Sequence, residues 1–174
     1  MSFQPPTTTH NSAACAVIAL GSNLAHGGES PAQIVIEAAK RLQSLSLCVP
    51  RLSRIYSTSA VGLGAGAPDF CNAIAIIEPA AALSAQELLD GLLAIELELG
   101  RERLQPRAGA SYASRTIDLD LIYCRNETID SPTLQLPHPR AAERAFVLEP
   151  LAELWPDLVL PGQHSSVAAL LRAL

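Results

Sequence analysis

Two aspartates placed two positions apart are the residues of this chain whose type and spacing most directly suggest chemistry. Residues 116–123 alternate in the face of the predicted strand to which their side chains belong, and Asp118 and Asp120 fall on the same face. The apolar residues fall on the other face: Ile117, Leu119, Leu121 and Tyr123. Side chains two apart share a face, with Cα atoms roughly 6.6 Å apart. Magnesium is usually held by one or two carboxylates plus substrate phosphates. The pair therefore predicts a magnesium site, and a solvated strand face is the alternative.

Arginines are concentrated just before this pair. Four of the chain's 12 basic residues lie in one segment of a protein that is acidic overall: Arg101, Arg103, Arg107 and Arg115. Arginine binds phosphate through two parallel hydrogen bonds and keeps its charge. Cations beside a metal–carboxylate site suit a polyphosphate, because its oxygens carry charge that must be offset as the leaving group departs. The alternative is a solvated basic loop. The segment also carries Gly109 and several alanines, which indicate mobility and suit a lid that closes over substrate.

A histidine between two prolines is the third candidate, in the segment Pro137-His138-Pro139-Arg140. In such a stiff loop His138 could donate to phosphate, act as an acid, or simply be a loop residue. The phosphate-binding motif G-x-x-x-x-G-K-[ST] is absent, and the single lysine, Lys40, lies in a predicted helix. The protein-kinase signatures are absent as well. A polyphosphate would therefore be bound here without a P-loop.

The elements that must position these residues alternate between strands and helices. Ser30 followed by Pro31 predicts a helix start, and Ser84 with Glu87 forms a capping box for a second helix. The predicted order is strand 15–20, helix from Ser30, strands 47–56 and 70–78, helix from Ser84 to Gly100, and strand 115–124. This is the α+β, ferredoxin-like βαββαβ plan with an antiparallel sheet. Residues 125–174 read as a C-terminal extension, with a hairpin near Asn126 and helices around 146–154 and 165–174.

Composition indicates one folded domain. Apolar residues make up 49% and charged residues 17% of the 174 positions. We expect a disordered tail at 1–14 and a single domain over 15–174. The net charge of −5 argues against a nucleic-acid or membrane-surface partner. No secretory signal and no run of about 20 apolar residues is present, so we expect a cytoplasmic monomer.

Taken together, these segments resemble the 6-hydroxymethyl-7,8-dihydropterin pyrophosphokinase family of folate biosynthesis. The matching pieces occur in the family's order over residues 16–161: Ala19-Leu20-Gly21-Ser22-Asn23-Leu24, Tyr56-Ser57-Thr58, Pro68-Asp69-Phe70-Cys71-Asn72, Glu96 to Arg103, Arg115 to Ile122, and Pro137 to Leu148. Each piece alone is weak, whereas their joint order is specific. The resemblance implies transfer of pyrophosphate from ATP to the pterin hydroxymethyl group, with release of AMP.

The resemblance also implies roles for individual residues. Asp118 and Asp120 would bind two Mg²⁺ ions along the triphosphate. The catalytic arginines would be Arg101, Arg103 and Arg115, and the ATP site would hold Arg115, His138 and Arg144. The pterin would be bound by Thr58, Phe70, Asn72, Tyr112 and Phe146, with Phe70 and Phe146 on either side of the ring. A flat heteroaromatic ring stacks well on aromatic faces, and an amide offers both a donor and an acceptor to its edge.

One segment departs from the family pattern. Where the family commonly has Trp-Gly-Pro-Arg, this chain has Tyr112-Ala113-Ser114-Arg115, and Ser111 stands where a basic residue is usual. The loop between Arg103 and Arg115 is also longer, which bears on how it closes over the site. Two other classes of protein are the alternatives. A small-molecule regulatory module would bind without turnover, and a single-strand RNA binder would need a basic, aromatic sheet face.

Overall fold

The computed structural model describes residues 13–60, 67–102 and 114–174. The predicted tail at 1–14 lies almost entirely outside the described residues, and so do Arg103, Arg107 and Tyr112. The described strands and helices follow in chain order: β1 (Ala16–Ser22), α1 (Pro31–Arg41), β2 (Arg51–Leu52), β3 (Tyr56–Thr58), β4 (Phe70–Ile77), α2 (Ala85–Glu98), β5 (Asp118–Cys124), β6 (Ile129–Asp130), β7 (Gln135–Leu136), α3 (Ala145–Leu154) and α4 (Val167–Ala173).

The main sheet is antiparallel throughout. Its strand order is β2–β4–β1–β5, and β3 also pairs with β4. The register places Gly21 of β1 between Asn72 of β4 and Asp118 of β5. The prediction of a mixed protein with helices and an antiparallel sheet is confirmed. The register brings one end of the three longest strands together, and that end carries the polar residues.

Both long helices begin as predicted. The Ser30 side chain accepts from the Gln33 N–H, and the Gln33 side chain accepts from the Ser30 N–H at 2.9 Å. Ser84 and Glu87 form the same reciprocal pair at the start of α2. These caps satisfy backbone N–H groups that have no partner inside the helix. Gly100 follows α2 with a φ of +78°, which a residue without a side chain adopts easily.

The predicted strand over 47–56 is two short strands, β2 and β3. Leu52 pairs with Ala75 and Tyr56 with Asn72, so three residues on one side face two on the other. Ser53 lies in this bulge, where its hydroxyl accepts from the Ile74 N–H at 3.0 Å. A side chain thereby takes the place of a carbonyl in the ladder, and the strand divides there.

Strand β5 is shorter than predicted and changes phase. It begins at Asp118 because the Arg115 carbonyl accepts instead from the N–H groups of Asn23 and Leu24, at 3.1 and 3.2 Å. A register shift then occurs opposite Val17 and Ile18 of β1. The alternation predicted for β5 therefore fails at Tyr123, which packs in the opposite apolar cluster from Leu121.

Helices cover both faces of the sheet. On one face α1 and α2 pack against the sheet around Ile18, Leu20 and Leu92. On the other face α3 and α4 pack around Ile74 and Leu148. The sheet is thus held between two apolar clusters, which fixes its strands along most of their length.

The C-terminal extension differs from its prediction at one turn. Arg125 and Asn126 have φ values of +46° and +60°, as a tight turn requires. The chain leaving this turn forms β6, which pairs with β7 rather than folding back on β5. The hairpin is therefore the β6–β7 pair, and helices α3 and α4 lie where the sequence predicts them. In the part of the chain that is described, every helix is too short or too polar to cross a bilayer.

Candidate active site

A cavity of about 410 Å³ opens at the polar end of the sheet, within the size range of small-molecule sites. Nine residues predicted from sequence to act in the site line it: Thr58, Phe70, Asn72, Arg115, Asp118, Asp120, His138, Arg144 and Phe146. They come from four different parts of the chain, which the antiparallel register brings together. The predicted residues Arg103 and Tyr112 lie outside the described residues.

The two aspartates share the cavity but differ in their surroundings. Asp118 accepts from Arg115 Nη1 at 2.7 Å and lies 3.3 Å from Arg101 Nη2. Burial raises the pKa of Asp118 above its ordinary value, the charge of Asp120 raises it further, and the arginines oppose the rise. The cavity thus holds two carboxylates, and burial makes the charge of Asp118 costly despite the arginines beside it.

The donor set fits magnesium better than a metal that needs a complete protein cage. Among the described residues, no group of three or more His, Cys, Asp or Glu side chains is placed to hold a metal. Two carboxylates that open into a cavity leave the remaining positions to water and phosphate oxygens, which is the usual arrangement for Mg²⁺. Asp118 and Asp120 are the residues that would hold it.

Arg115 connects the charged and aromatic parts of the cavity. Its guanidinium contacts Asp118 and also lies 5.4 Å from the centroid of the Phe70 ring. Arg144 is placed in the same way, 5.3 Å from the centroid of the Phe146 ring. Each phenyl ring of the cavity is therefore paired with a guanidinium, and a ligand with a flat ring and a phosphate chain would meet both groups.

Arg101 contacts Asp118 but does not line the cavity. Its Nη1 donates to the Ile117 carbonyl at 2.8 Å, and its side chain is 18% exposed. The described lining of the cavity does not include it. In this arrangement Arg101 contacts Asp118 and the backbone just before β5, and its catalytic role stays a prediction.

Asn72 is oriented by a neighbouring strand. Its Nδ2 donates to Thr58 Oγ1 at 2.7 Å, across the pairing of β3 with β4. On the other side, Gly21 leaves room for its Oδ1, since a Cβ at position 21 would come within 3.1 Å of that oxygen. The amide therefore has a fixed direction, and Gly21 was not predicted as a site residue. The feature of the sequence that could have indicated Gly21 is its position near the end of the first predicted strand.

His138 is held in the loop after β7. Its backbone N–H donates to the Ile122 carbonyl at 2.9 Å, and its ring Nδ1 accepts from the backbone N–H of Arg140 at 3.2 Å. A neutral imidazole with an accepting Nδ1 carries its proton on Nε2. Burial lowers the pKa of His138, the charge of Asp120 opposes this, and Arg144 and Arg140 add to the lowering. His138 thus presents a neutral ring that can donate one hydrogen bond.

Sequence reasoning missed a buried acid beneath the aspartates. Glu96 of α2 is 5% exposed, and its Oε1 accepts from the Leu119 N–H at 2.7 Å. The signal was present, because Glu96 lies four residues after Leu92 on the apolar face of the predicted helix. Burial raises the pKa of Glu96, and the charge of Asp118 adds to the rise.

Comparison with known proteins places the chain in a family. The family profile of 7,8-dihydro-6-hydroxymethylpterin-pyrophosphokinase (HPPK) matches residues 17–156, which include all the residues that line the cavity. The chain belongs to the HPPK family. This confirms the resemblance read from the ordered motifs.

Curated HPPK relatives are similar over most of the chain. A 2-amino-4-hydroxy-6-hydroxymethyldihydropteridine pyrophosphokinase of Pseudomonas aeruginosa is 40% identical over 148 residues, which cover 84% of this chain and 85% of the relative. A Haemophilus influenzae protein of the same name is 40% identical over 150 residues, covering 86% of each chain. The match therefore spans most of each relative.

Solved structures with an HPPK part share the fold. The structure described as HPPK-DHPS in complex with substrates has a TM-score of 0.67 at 13% identity, covering 92% of this chain and 43% of that chain. Wild-type Plasmodium falciparum HPPK-DHPS with pteroate has a TM-score of 0.69 at 13% identity, covering 92% and 42%. This chain thus spans less than half of those longer proteins, and the likeness supports the HPPK fold.

Proposed function

We propose that this HPPK-family protein transfers pyrophosphate from ATP to the hydroxymethyl group of 6-hydroxymethyl-7,8-dihydropterin and releases AMP. The observation that carries the proposal is the composition of one cavity. Asn72, Phe70 and Phe146 offer it an amide and two aromatic faces, whereas Asp118 and Asp120 offer it paired carboxylates. A flat heteroaromatic alcohol and a metal-bound triphosphate would need these two kinds of surface next to each other.

The reaction would be an in-line displacement without a covalent protein intermediate. The pterin hydroxyl oxygen bonds to the β-phosphorus of ATP, and the bond from that phosphorus to the α–β bridging oxygen breaks. The bridging oxygen leaves as part of AMP, and the hydroxyl proton passes to solvent. Positioning and charge compensation are the main contributions that a protein makes to phosphoryl-group transfer.

Asp118 and Asp120 would hold two Mg²⁺ ions. Their shared position in the cavity supports this, because both carboxylates line it together with Arg115 and His138. When bound, the ions would neutralise charge on the triphosphate oxygens. Glu96 would keep the two ligands in register through its hydrogen bond to the backbone between them.

The arginines and His138 would bind the phosphates. Arg115 is best placed for the transferred group, because it already touches both Phe70 and Asp118. His138 would donate from Nε2 to ATP, and Arg144 would add a cation near Phe146. Arg101 would act by holding Asp118, which refines the catalytic role predicted for it. Arg103 and Tyr112 stay predictions from the resemblance.

The same evidence supports the finer description of the fold. The strand order, with β2 and β3 together as one edge, is the one expected for a ferredoxin-like sheet followed by a C-terminal extension. The cavity residues lie on one continuous sheet and the helices packed on it, which supports a single domain, and a monomer stays a prediction.

Labelled ATP tests the proposal. We expect the purified chain, with Mg²⁺ and the pterin, to form AMP from ATP and to move label from the γ-phosphate onto the pterin. Label at the α-phosphate should stay in AMP. Formation of ADP would contradict transfer of the β- and γ-phosphates together, and binding without turnover would favour the regulatory module.

Matched variants test the metal assignment. We expect Asp118→Ala and Asp120→Ala to lose activity at saturating Mg²⁺, and the exposed Asp157→Ala to keep it. If both cavity variants kept full activity, the aspartates would not be the metal ligands.

A further inference from the structure

A buried asparagine joins three segments of the chain next to the cavity. Asn23 directly follows β1 and is 1% exposed. Its Oδ1 accepts from the Arg115 N–H at 2.8 Å. Its Nδ2 donates to the Ser114 hydroxyl at 3.1 Å and to the Pro68 carbonyl at 3.2 Å. Both donor hydrogens and the acceptor of the amide are therefore used, on groups 45 and 91–92 residues away in sequence.

The backbone of Asn23 strengthens the same junction. Its N–H donates to the Arg115 carbonyl at 3.1 Å. Arg115 is thus held on both its N–H and its carbonyl by one residue. Such reciprocal bonding fixes the direction in which the Arg115 side chain leaves the backbone, because the peptide units on both sides are restrained.

The segments that Asn23 joins each lead to a cavity residue. Pro68 lies two residues before Phe70, and the Arg115 guanidinium stacks on the Phe70 ring while it bonds Asp118. Asn23 itself is not among the residues that line the cavity. Its side-chain hydrogen bonds go to Pro68, Ser114 and Arg115. It therefore holds the backbone of the two segments that carry Phe70 and Arg115 into the cavity.

From this geometry we propose that Asn23 is a positioning residue for pyrophosphate transfer, which sets Arg115 against Asp118 and Phe70 by bonding the backbone that leads to each. The proposal rests on the function proposed above. Asparagine suits the position because its amide is the short side chain with two donors and an acceptor. Aspartate keeps an acceptor for the Arg115 N–H but has no donor for the Pro68 carbonyl.

The test compares single-turnover rates of AMP formation. We expect Asn23→Ala to lower the rate by about 10²-fold, because a small misplacement of a reacting group has effects of that size. The control is Ser53→Ala, which also removes a buried side chain bonded to backbone but lies away from the cavity. It should change the rate by less than about threefold, with thermal unfolding recorded for both variants.

Coupling to Arg115 separates positioning from a general loss of structure. The fold-loss in rate caused by Asn23→Ala should be at least ten times smaller in an Arg115→Ala background than in the wild type. Additive effects would overturn the inference, as would an Asn23→Ala rate within about threefold of wild type or an equal loss in Ser53→Ala.

The Asn23→Asp variant keeps the proposal testable if Asn23→Ala does not fold. It should raise the KM for the pterin more than it lowers the single-turnover rate, because the Arg115 contact remains and the Pro68 contact is lost. A KM unchanged from wild type would overturn the inference. If the wild type forms AMP and the Asn23 variants match it, only the positioning role of Asn23 is overturned. If the wild type forms no AMP, the proposed pyrophosphate transfer is overturned as well.

Discussion

Replacing Asp118 by asparagine should stabilise the metal-free protein while it removes the activity. The raised pKa of Asp118 means that the folded state disfavours its charge, first through burial and then through Asp120. At neutral pH, well above the ordinary value for aspartate, the folded protein therefore loses stability through this group. Asparagine is the neutral isostere for this position, but the wild-type aspartate is retained because a magnesium site needs a carboxylate.

The expected gain follows from the charges around Asp118. Two unit charges roughly 6.6 Å apart repel by about 2.5 kcal/mol at an effective dielectric constant of 20. Arg115 and Arg101, at 2.7 and 3.3 Å, attract the Asp118 charge and oppose this repulsion. The expected gain therefore rests on the burial of the carboxylate together with the charge of Asp120. We expect Asp118→Asn to raise the free energy of unfolding by about 1 kcal/mol, or the Tm by about 2–4 °C.

Thermal unfolding with a chelator and with magnesium checks this prediction. In chelator, Asp118→Asn should unfold at a higher temperature than the wild type, and the exposed Asp157→Asn at the same temperature. Magnesium with a non-hydrolysable ATP analogue at 100 times its Kd should stabilise the wild type by about 2.7 kcal/mol and the variant far less. A variant that is less stable in chelator, or one that gains equally from the ligand, would refute this reasoning.

Three other substitutions address the remaining contacts. Because the pKa of His138 is lowered in the folded state, His138 reduces stability as pH falls below about 6.5. In urea unfolding, His138→Gln should therefore make the free energy of unfolding less dependent on pH below that value, and the exposed His164→Gln should leave the dependence unchanged. Glu96→Ala should cost about 1–3 kcal/mol in urea unfolding by leaving a buried β5 N–H unpaired, whereas an equal loss in Glu96→Gln, which keeps the acceptor, would argue against that hydrogen bond. Thr58→Val should raise the KM for the pterin about 3- to 10-fold by releasing Asn72, and an equal rise in the KM for ATP would contradict this.

Local signals in the sequence were sufficient for much of the fold. The capping boxes at Ser30 and Ser84 start helices because their hydrogen bonds are made within four residues. The Asp118 and Asp120 alternation survives because the first half of β5 pairs regularly with β1. These features depend on neighbours in sequence, or on one regular strand pairing.

The features that sequence reasoning missed depend on distant partners. Tyr123 changes face because of a register shift against β1, and the strand over 47–56 divides where Ser53 bonds Ile74. Asn23 reads as a turn residue until Arg115, 92 positions later, is seen to bond it. Such contacts are set by the tertiary arrangement of the strands, so periodicity and capping do not indicate them.

Locating the metal tests the central claim most directly. A crystal of the chain with Mn²⁺ in place of Mg²⁺, a non-hydrolysable ATP analogue and the pterin would show the ion by its anomalous scattering. The account predicts an ion bound directly to carboxylate oxygens of both Asp118 and Asp120 and to phosphate oxygens of the analogue. An ion bound to the phosphates but to neither carboxylate, or a nucleotide outside this cavity, would contradict it.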